Sequence, residues 1–487
     1  MVRNEHFLQI AESLKPELYR KKYVPTDTGF RQLSLKKGDT LRLDFGTHIT
    51  GYVTLKLGYQ GSRPDAPAWI RLKFAERECE LSGAQDISKI TLSTSWIQWE
   101  QLHIDELPAI LELPRRYSFR YLELEVLDTS PRFQLTVEDA FCTAVTSADE
   151  GKLLPYAAGP RLEALDAAAC LTLRECMQDV FEDGPKRDRR LWLGDLRLQA
   201  LANYETYRNF DLVKRCLYLF AGDLLEDGRV GGCLYTQPQV EADDMRMFDY
   251  PLLFIPTLLD YYKATNDLDT LRELAPTAFY QVEQANDCFD RQDLAQETER
   301  MGWCFVDWAL NLDKQASAQG IYLYSLKAAI QIAKILNESE LATRFRDHYT
   351  RKHAAAELLW DGEKQFYISG PEKQVSWASQ VWLTLGGAAH GSPELLTRLK
   401  DSDAVAMVTP YMYHNYVDAL LCVGAREEAY QVLTRYWGGM LGEGADTFWE
   451  LYNPSNPDES PYGGTIINSY CHAWSCAPAY FLRKYFS

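Results

Sequence analysis

The stretch GIYLYSLKAAIQIAKILNESELATRFRDHYTRKHAAAE, residues 320–357, decides the fold of the larger part of this chain. Apolar residues recur three and four apart over 320–336 and again over 339–357, which is the spacing of two amphipathic helices. Only Asn337 and Glu338 separate them, so the pair reads as an αα-hairpin. Segments 411–422 and 425–437 repeat the pattern. Further helices are expected over 162–177, 195–209, 211–225 and 250–264. The region from Leu162 onward then holds about ten to twelve helices, a repeat of one supersecondary unit. Six such hairpins close into an (α/α)6 toroid, with a concave mouth built from the inter-helix loops.

Ahead of Leu162 the period changes. Residues 40–45, 53–57, 70–74 and 121–126 alternate polar and apolar, the mark of half-buried strands. Gly- and Pro-rich turns separate them, and a β-sandwich fits the spacing. The expected architecture is multidomain β + α. An N-terminal β-sandwich over 1–155 is followed by an (α/α)6 six-hairpin toroid over 156–487. At roughly 100–200 residues per domain, the 487 residues suit this division.

Composition removes several function classes. The net charge of −18 repels phosphate backbones and anionic membranes, so no nucleic-acid partner is expected. No run of about 18 apolar residues exists, so no membrane span is expected. The first residues show neither an apolar signal core nor a small-residue cleavage site. The 11 cysteines have no zinc spacing and read as reduced, mostly buried thiols of a cytoplasmic protein. Aromatic residues reach 13%, with 12 Trp and 29 Tyr. Most such rings pack a core, but flat rings also stack on the C–H face of a sugar.

Three stretches gather the chemistry. The first runs Asp183-Gly184-Pro185-Lys186-Arg187-Asp188-Arg189-Arg190-Leu191-Trp192-Leu193-Gly194-Asp195. Gly-Pro opens it as a loop, and a helix is expected to start near Asp195, with that residue as its cap. Charges beside apolar bulk are costly unless paired, and they often mark a site. The second is Gly444 to Tyr452, which includes Thr447-Phe448-Trp449-Glu450. The third, Asn468-Ser469-Tyr470-Cys471-His472-Ala473-Trp474, is expected to open the final helix. Each has an ordinary reading: a solvated loop, a helix-surface glutamate, a core histidine.

In combination and in order, these stretches resemble glycoside hydrolase family 78, the α-L-rhamnosidases. Residues 183–195 resemble the family's D-x-P-x-R-D-E-R-x-x-W-x-G-D loop. Thr447 to Glu450 resembles its T-x-W-E, and Asn468 to His472 its N-S-x-x-H. Asp249-Tyr250 and Asp307-Trp308 fall where the family has sugar-contacting pairs. The front agrees too: Asp44-Phe45-Gly46 through Val53, and Phe119-Arg120-Tyr121-Leu122-Glu123, resemble motifs of the family's β-domain. One position departs from the pattern. Arg189 stands where the family usually carries the glutamate that acts as general acid, and an arginine cannot donate a proton at a useful pH.

The resemblance implies an inverting glycosidase that removes terminal α-L-rhamnose from small rhamnosides. Such chemistry needs one protonated and one ionised carboxyl group. Glu450 is the expected base and Asp188 the expected acid, with Asp183 next in line. Asp195, Asp249, Asp307, Arg187 and His472 are expected to bind sugar hydroxyls or orient carboxylates. Trp192, Trp303, Trp308 and Trp449 are candidates for the apolar wall that receives the 6-methyl group. No cofactor and no metal are expected, and a homodimer suits a compact member. The other readings are a different (α/α)6 enzyme, such as an unsaturated glucuronyl hydrolase, and a sugar-binding relative that has lost its acid.

Overall fold

The computed structural model describes residues 2–82 and 86–486. Its N-terminal part is one antiparallel sheet path folded over its own core into a sandwich. The strand order is Tyr19–Tyr23, Phe133–Thr146, Thr40–Gly61, Tyr117–Asp128, Ala68–Ala75, Trp99–Ile104. The strand Thr40–Gly61 serves both layers. Thr40 to Gly51 pairs with Tyr117–Glu125, and Gly51 to Gly61 pairs with Phe133–Ala144. Alternate residues Leu41, Leu43, Phe45, Val53, Leu55 and Leu57 point into the core, as period two requires.

Two glycines of the Asp44–Val53 stretch have separate reasons. The register slips between Asp44 and Ile49, and Gly46 sits there at φ +77°, a conformation that favours glycine. Gly51 lies at the crossover. A Cβ there would come within 2.4 Å of the Thr143 carbonyl oxygen.

From Pro160 onward the described residues form twelve α-helices. Gln315–Ile335 and Ser339–Ala356 make the hairpin read from 320–357, and Pro410–Cys422 with Arg426–Gly442 make another. The last helix, Ala477–Tyr485, packs against Pro160–Cys176 and Leu193–Glu205 and so closes the ring. One apolar cluster fills it from Leu162 to Leu482.

Residues 2–13 depart from the expected layout, in which they belong to the sandwich. Val2–Arg3 pairs with Asp223–Leu224 of the helical part. Helix Glu5–Ser13 packs on Phe210–Gly222, where Leu8 and Ala11 join the helical core. The amphipathic face of that short helix is buried there and has no counterpart in the sheet. Asn4 accepts from the Phe7 amide to cap it. No described helix is long and apolar enough to cross a membrane. Among the described residues nine cysteines are buried, Cys79 is partly buried and Cys422 is exposed.

Candidate active site

The three motif loops lie side by side at the mouth of the ring. The His472 amide donates to the Phe448 carbonyl at 2.9 Å, and the Glu450 amide to the Ser469 carbonyl at 3.1 Å. The Ala473 amide donates to the Asp183 carbonyl at 2.9 Å, which ties the third loop to the first. Helix Leu193–Glu205 begins two residues before the expected start. Leu191–Trp192 pairs as a short strand with Cys233–Leu234, and Asp195 falls in the first helical turn without capping it. The final helix starts only at Ala477, so Asn468 to Trp474 is a loop with a 3-10 turn and not a helix start.

These loops surround a cavity of about 290 Å3 lined by Asp183, Arg187, Asp188, Trp192, Asp195, Trp303, Trp308, Glu450 and His472. Nine predicted residues thus meet in one place. Three others do not line it. Asp249 is fully buried and accepts from the Val306 amide at 3.0 Å. Asp307 accepts from the amides of Trp308, Val408 and Thr409 and from the Thr409 hydroxyl. Both carboxylates fasten the 305–308 loop, so they hold Phe305 and Trp308 in the wall rather than touch its contents. Trp449 is turned back toward the sandwich, with the Arg77 guanidinium 4.1 Å from its ring.

Glu450 is held ionised. Arg187 forms a two-point ion pair with its carboxylate, with Nη1 at 3.4 Å from Oε1, and Tyr462 donates to Oε1 at 2.6 Å. Burial alone would raise this carboxyl. Arg187 and the Tyr462 hydroxyl outweigh it and keep the group below the usual range. Arg187 is itself fixed by a bond from Nε to the Ile467 carbonyl. Its neighbour Lys186 is 1% exposed, pairs with Glu80 of the sandwich and donates to the Asn468 carbonyl at 2.8 Å. The sandwich therefore braces the loop that orients Glu450.

Asp188 has the opposite environment. Burial raises its carboxyl, Arg187 and Arg190 partly oppose this, and the Glu450 charge adds to it. Its closest cation is Arg190, at 4.0 Å. Asp183 is also raised, by burial and then by the Asp188 charge, but its two oxygens receive the amides of Asp188 and Arg190 at 3.0 and 3.1 Å. Asp183 thus shapes the loop that presents Asp188. Arg189 is not in the cavity wall. At φ +62° its backbone turns the side chain away, to donate to the Arg116 and Lys186 carbonyls.

At the floor, burial and then the Asp183 charge push Asp195 well above the carboxylate range. Burial lowers His472 to about 4, so it is neutral beside Asp195, 3.6 Å away. Asp195 Oδ1, His472 Nδ1 and Trp308 Nε1 are buried without a protein partner. Such groups are costly unless a ligand satisfies them, and together they offer both donors and acceptors to hydroxyls. Sequence reasoning missed Tyr462 and Leu92 in the wall. Tyr462 lies in an aperiodic Gly-rich loop, and Leu92 comes from the sandwich, where the Thr91 amide donates to the Tyr462 carbonyl.

Comparison with known proteins agrees with this geometry. Residues 11–144 match the family model described as the glycosyl hydrolase family 78 alpha-rhamnosidase N-terminal domain. Residues 157–486 match the bacterial alpha-L-rhamnosidase six-hairpin glycosidase domain. No curated protein matches. Among solved structures, a rhamnosidase from Klebsiella oxytoca with rhamnose bound is 44% identical, covering 100% of this chain and 99% of that one at a TM-score of 0.95. A family 78 rhamnosidase from Bacillus sp. GL1 is 24% identical, covers 91% of this chain and 46% of its own, and has a TM-score of 0.76. The Streptomyces avermitilis α-L-rhamnosidase complexed with L-rhamnose is 16% identical, covers 96% and 44%, and has a TM-score of 0.67. These two longer proteins share the fold. With both parts of the chain matched, and with full-length likeness to the Klebsiella enzyme, the protein belongs to glycoside hydrolase family 78, the α-L-rhamnosidases, and is a glycoside hydrolase.

Proposed function

We propose that Asp188 and Glu450 form the acid–base pair with which this family member hydrolyses terminal α-L-rhamnosides, with inversion at the anomeric carbon. The observation that carries this reading is the contrast between two carboxyls in one cavity. Glu450 is kept ionised by Arg187 and Tyr462, whereas Asp188 is pushed toward the protonated form. Environments that push two carboxyls apart assign the base and the acid.

Glu450 takes a proton from a water molecule as that water attacks the anomeric carbon. Asp188 gives its proton to the glycosidic oxygen as the carbon–oxygen bond breaks. The unpartnered Asp195 and His472 atoms bind ring hydroxyls, and Trp192, Trp303 and Trp308 supply the apolar wall for the methyl group. Asp183 acts through the loop it braces. Because Arg189 points out of this cavity, its presence at the usual glutamate position leaves the acid role open to Asp188.

The change from strands, last at Phe133–Thr146, to helices, first at Pro160–Cys176, supports a division near residues 155 and 156, with residues 2–13 packed on the helical part. Nine buried cysteines suit a reducing compartment, the cytoplasm, where the substrates are small rhamnosides. The test is turnover of p-nitrophenyl α-L-rhamnopyranoside by the wild type, with the matching α-L-fucoside and β-D-glucoside as controls. Clear preference for the rhamnoside is expected. Inertness on it alongside turnover of either control would sink the substrate assignment.

A further inference from the structure

A second cavity, of about 570 Å3, adjoins the first and shares Asp188 and Arg190 with it. Four arginines line it: Arg115, Arg116, Arg189 and Arg190. Three of them have a carboxylate nearby. Arg116 pairs with Glu182 at 2.6 Å, Arg115 with Glu100 at 3.3 Å, and Arg190 lies 4.0 Å from Asp188. Asp179, the remaining acid of the wall, faces Lys15 at 3.5 Å. Arg189 has no carboxylate in ion-pair distance among the described residues, and its guanidinium donates only to backbone carbonyls. Burial, and then the neighbouring Arg116 charge, pull it down to about 10. Glu182, already paired with Arg116, offsets this only from beyond ion-pair distance. A half-buried cation without an ion pair of its own is costly, and an incoming anion reduces that cost.

The same wall carries rings. Tyr52 is 39% exposed, and Tyr235 stacks under the Arg190 guanidinium at 4.4 Å. A guanidinium without an ion pair in the same wall as an exposed ring, Tyr52, is what an acidic sugar requires. The carboxylate meets the fork of donors and the C–H face meets a ring. The position matters as much as the chemistry. The leaving group is bonded to the oxygen that receives the Asp188 proton, so it departs from beside Asp188, the residue common to both cavities.

We infer that the second cavity is the leaving-group subsite and takes a uronic acid, with Arg189 as the residue that reads its carboxylate. This rests on the reading of Asp188 as the general acid. The preferred substrate is then a disaccharide in which α-L-rhamnose is joined to a uronate. Arg189, at the place of the family's usual glutamate, thereby serves specificity instead of proton transfer.

The test compares kcat/KM for an α-L-rhamnosyl-(1→4)-glucuronic acid disaccharide with that for its carboxyl-reduced, neutral counterpart. The wild type is expected to prefer the acid by about tenfold or more, the ratio that one charge-assisted hydrogen bond supplies. The ratio is expected to shrink as salt is raised, because the recognition is ionic. In Arg189→Met it is expected to approach one, and in Arg189→Lys to keep part of its value. Because a ratio cancels general damage to the enzyme, it reads the subsite alone. A wild-type ratio near one, or a ratio unchanged in Arg189→Met, overturns the inference. Turnover of p-nitrophenyl α-L-rhamnopyranoside without turnover of either disaccharide also overturns it, and leaves the rhamnosidase reading intact. An enzyme inert on all three overturns the reading beneath it.

Discussion

Asp188→Asn is expected to lose about 10³-fold in kcat/KM on a rhamnosyl disaccharide, within the range general acid catalysis contributes. On p-nitrophenyl α-L-rhamnopyranoside the loss is expected to be much smaller, because p-nitrophenol leaves readily as its anion and needs little protonation. This dependence on the leaving group separates an acid from a residue that only shapes the site. The pH profile gives a second readout. Asp188 must carry its proton, and its carboxyl is raised by burial. Activity is therefore present below its pKa in the free enzyme and is lost as pH rises through it. In Asp188→Asn that basic limb is expected to disappear. Equal losses on both substrates would move the acid role to Asp183, the other raised carboxyl of the loop.

Glu450→Gln is expected to lower kcat about 10³-fold on every rhamnoside, with no relief from a good leaving group. Glu450 must be ionised, and Arg187 and Tyr462 hold it so against burial. The wild-type profile should then fall as pH drops through the lowered Glu450 pKa, and the variant should lack this acid limb. The change also leaves the buried Arg187 without its counter-ion. Removing one partner of a buried pair costs about 3–5 kcal/mol, so the urea midpoint should fall as well. A variant that retains near-wild-type kcat would show that Glu450 is not the base.

The helical ring was legible because hairpin periodicity is local: Asn337 and Glu338 alone mark a turn between two apolar stripes. The site was legible in its ordered motifs, which place Asp183, Arg187, Asp188, Asp195, Glu450 and His472 in one cavity. A motif does not, however, separate a residue that faces the sugar from one that holds the wall. Asp249, Asp307 and Trp449 carry the right side chains, yet Asp249 is buried behind the wall on the Val306 amide, Asp307 is spent on the amides of Trp308, Val408 and Thr409, and the Trp449 ring lies under Arg77. Long-range contributors were invisible for a different reason. Leu92 and Lys186 matter through contacts between the sandwich and the ring, and no local pattern encodes those. The direction of Arg189 was equally hidden, since it depends on one backbone angle at φ +62°.

The measurement that tests the acid–base account most directly is proton NMR of the sugar first released from an α-L-rhamnoside, recorded before mutarotation. Water activated by Glu450 attacks opposite the bond that Asp188 helps to break, so β-L-rhamnose should appear first and the α anomer only later. If α-L-rhamnose appears first, Glu450 acts through a covalent intermediate instead, and the inverting mechanism is wrong.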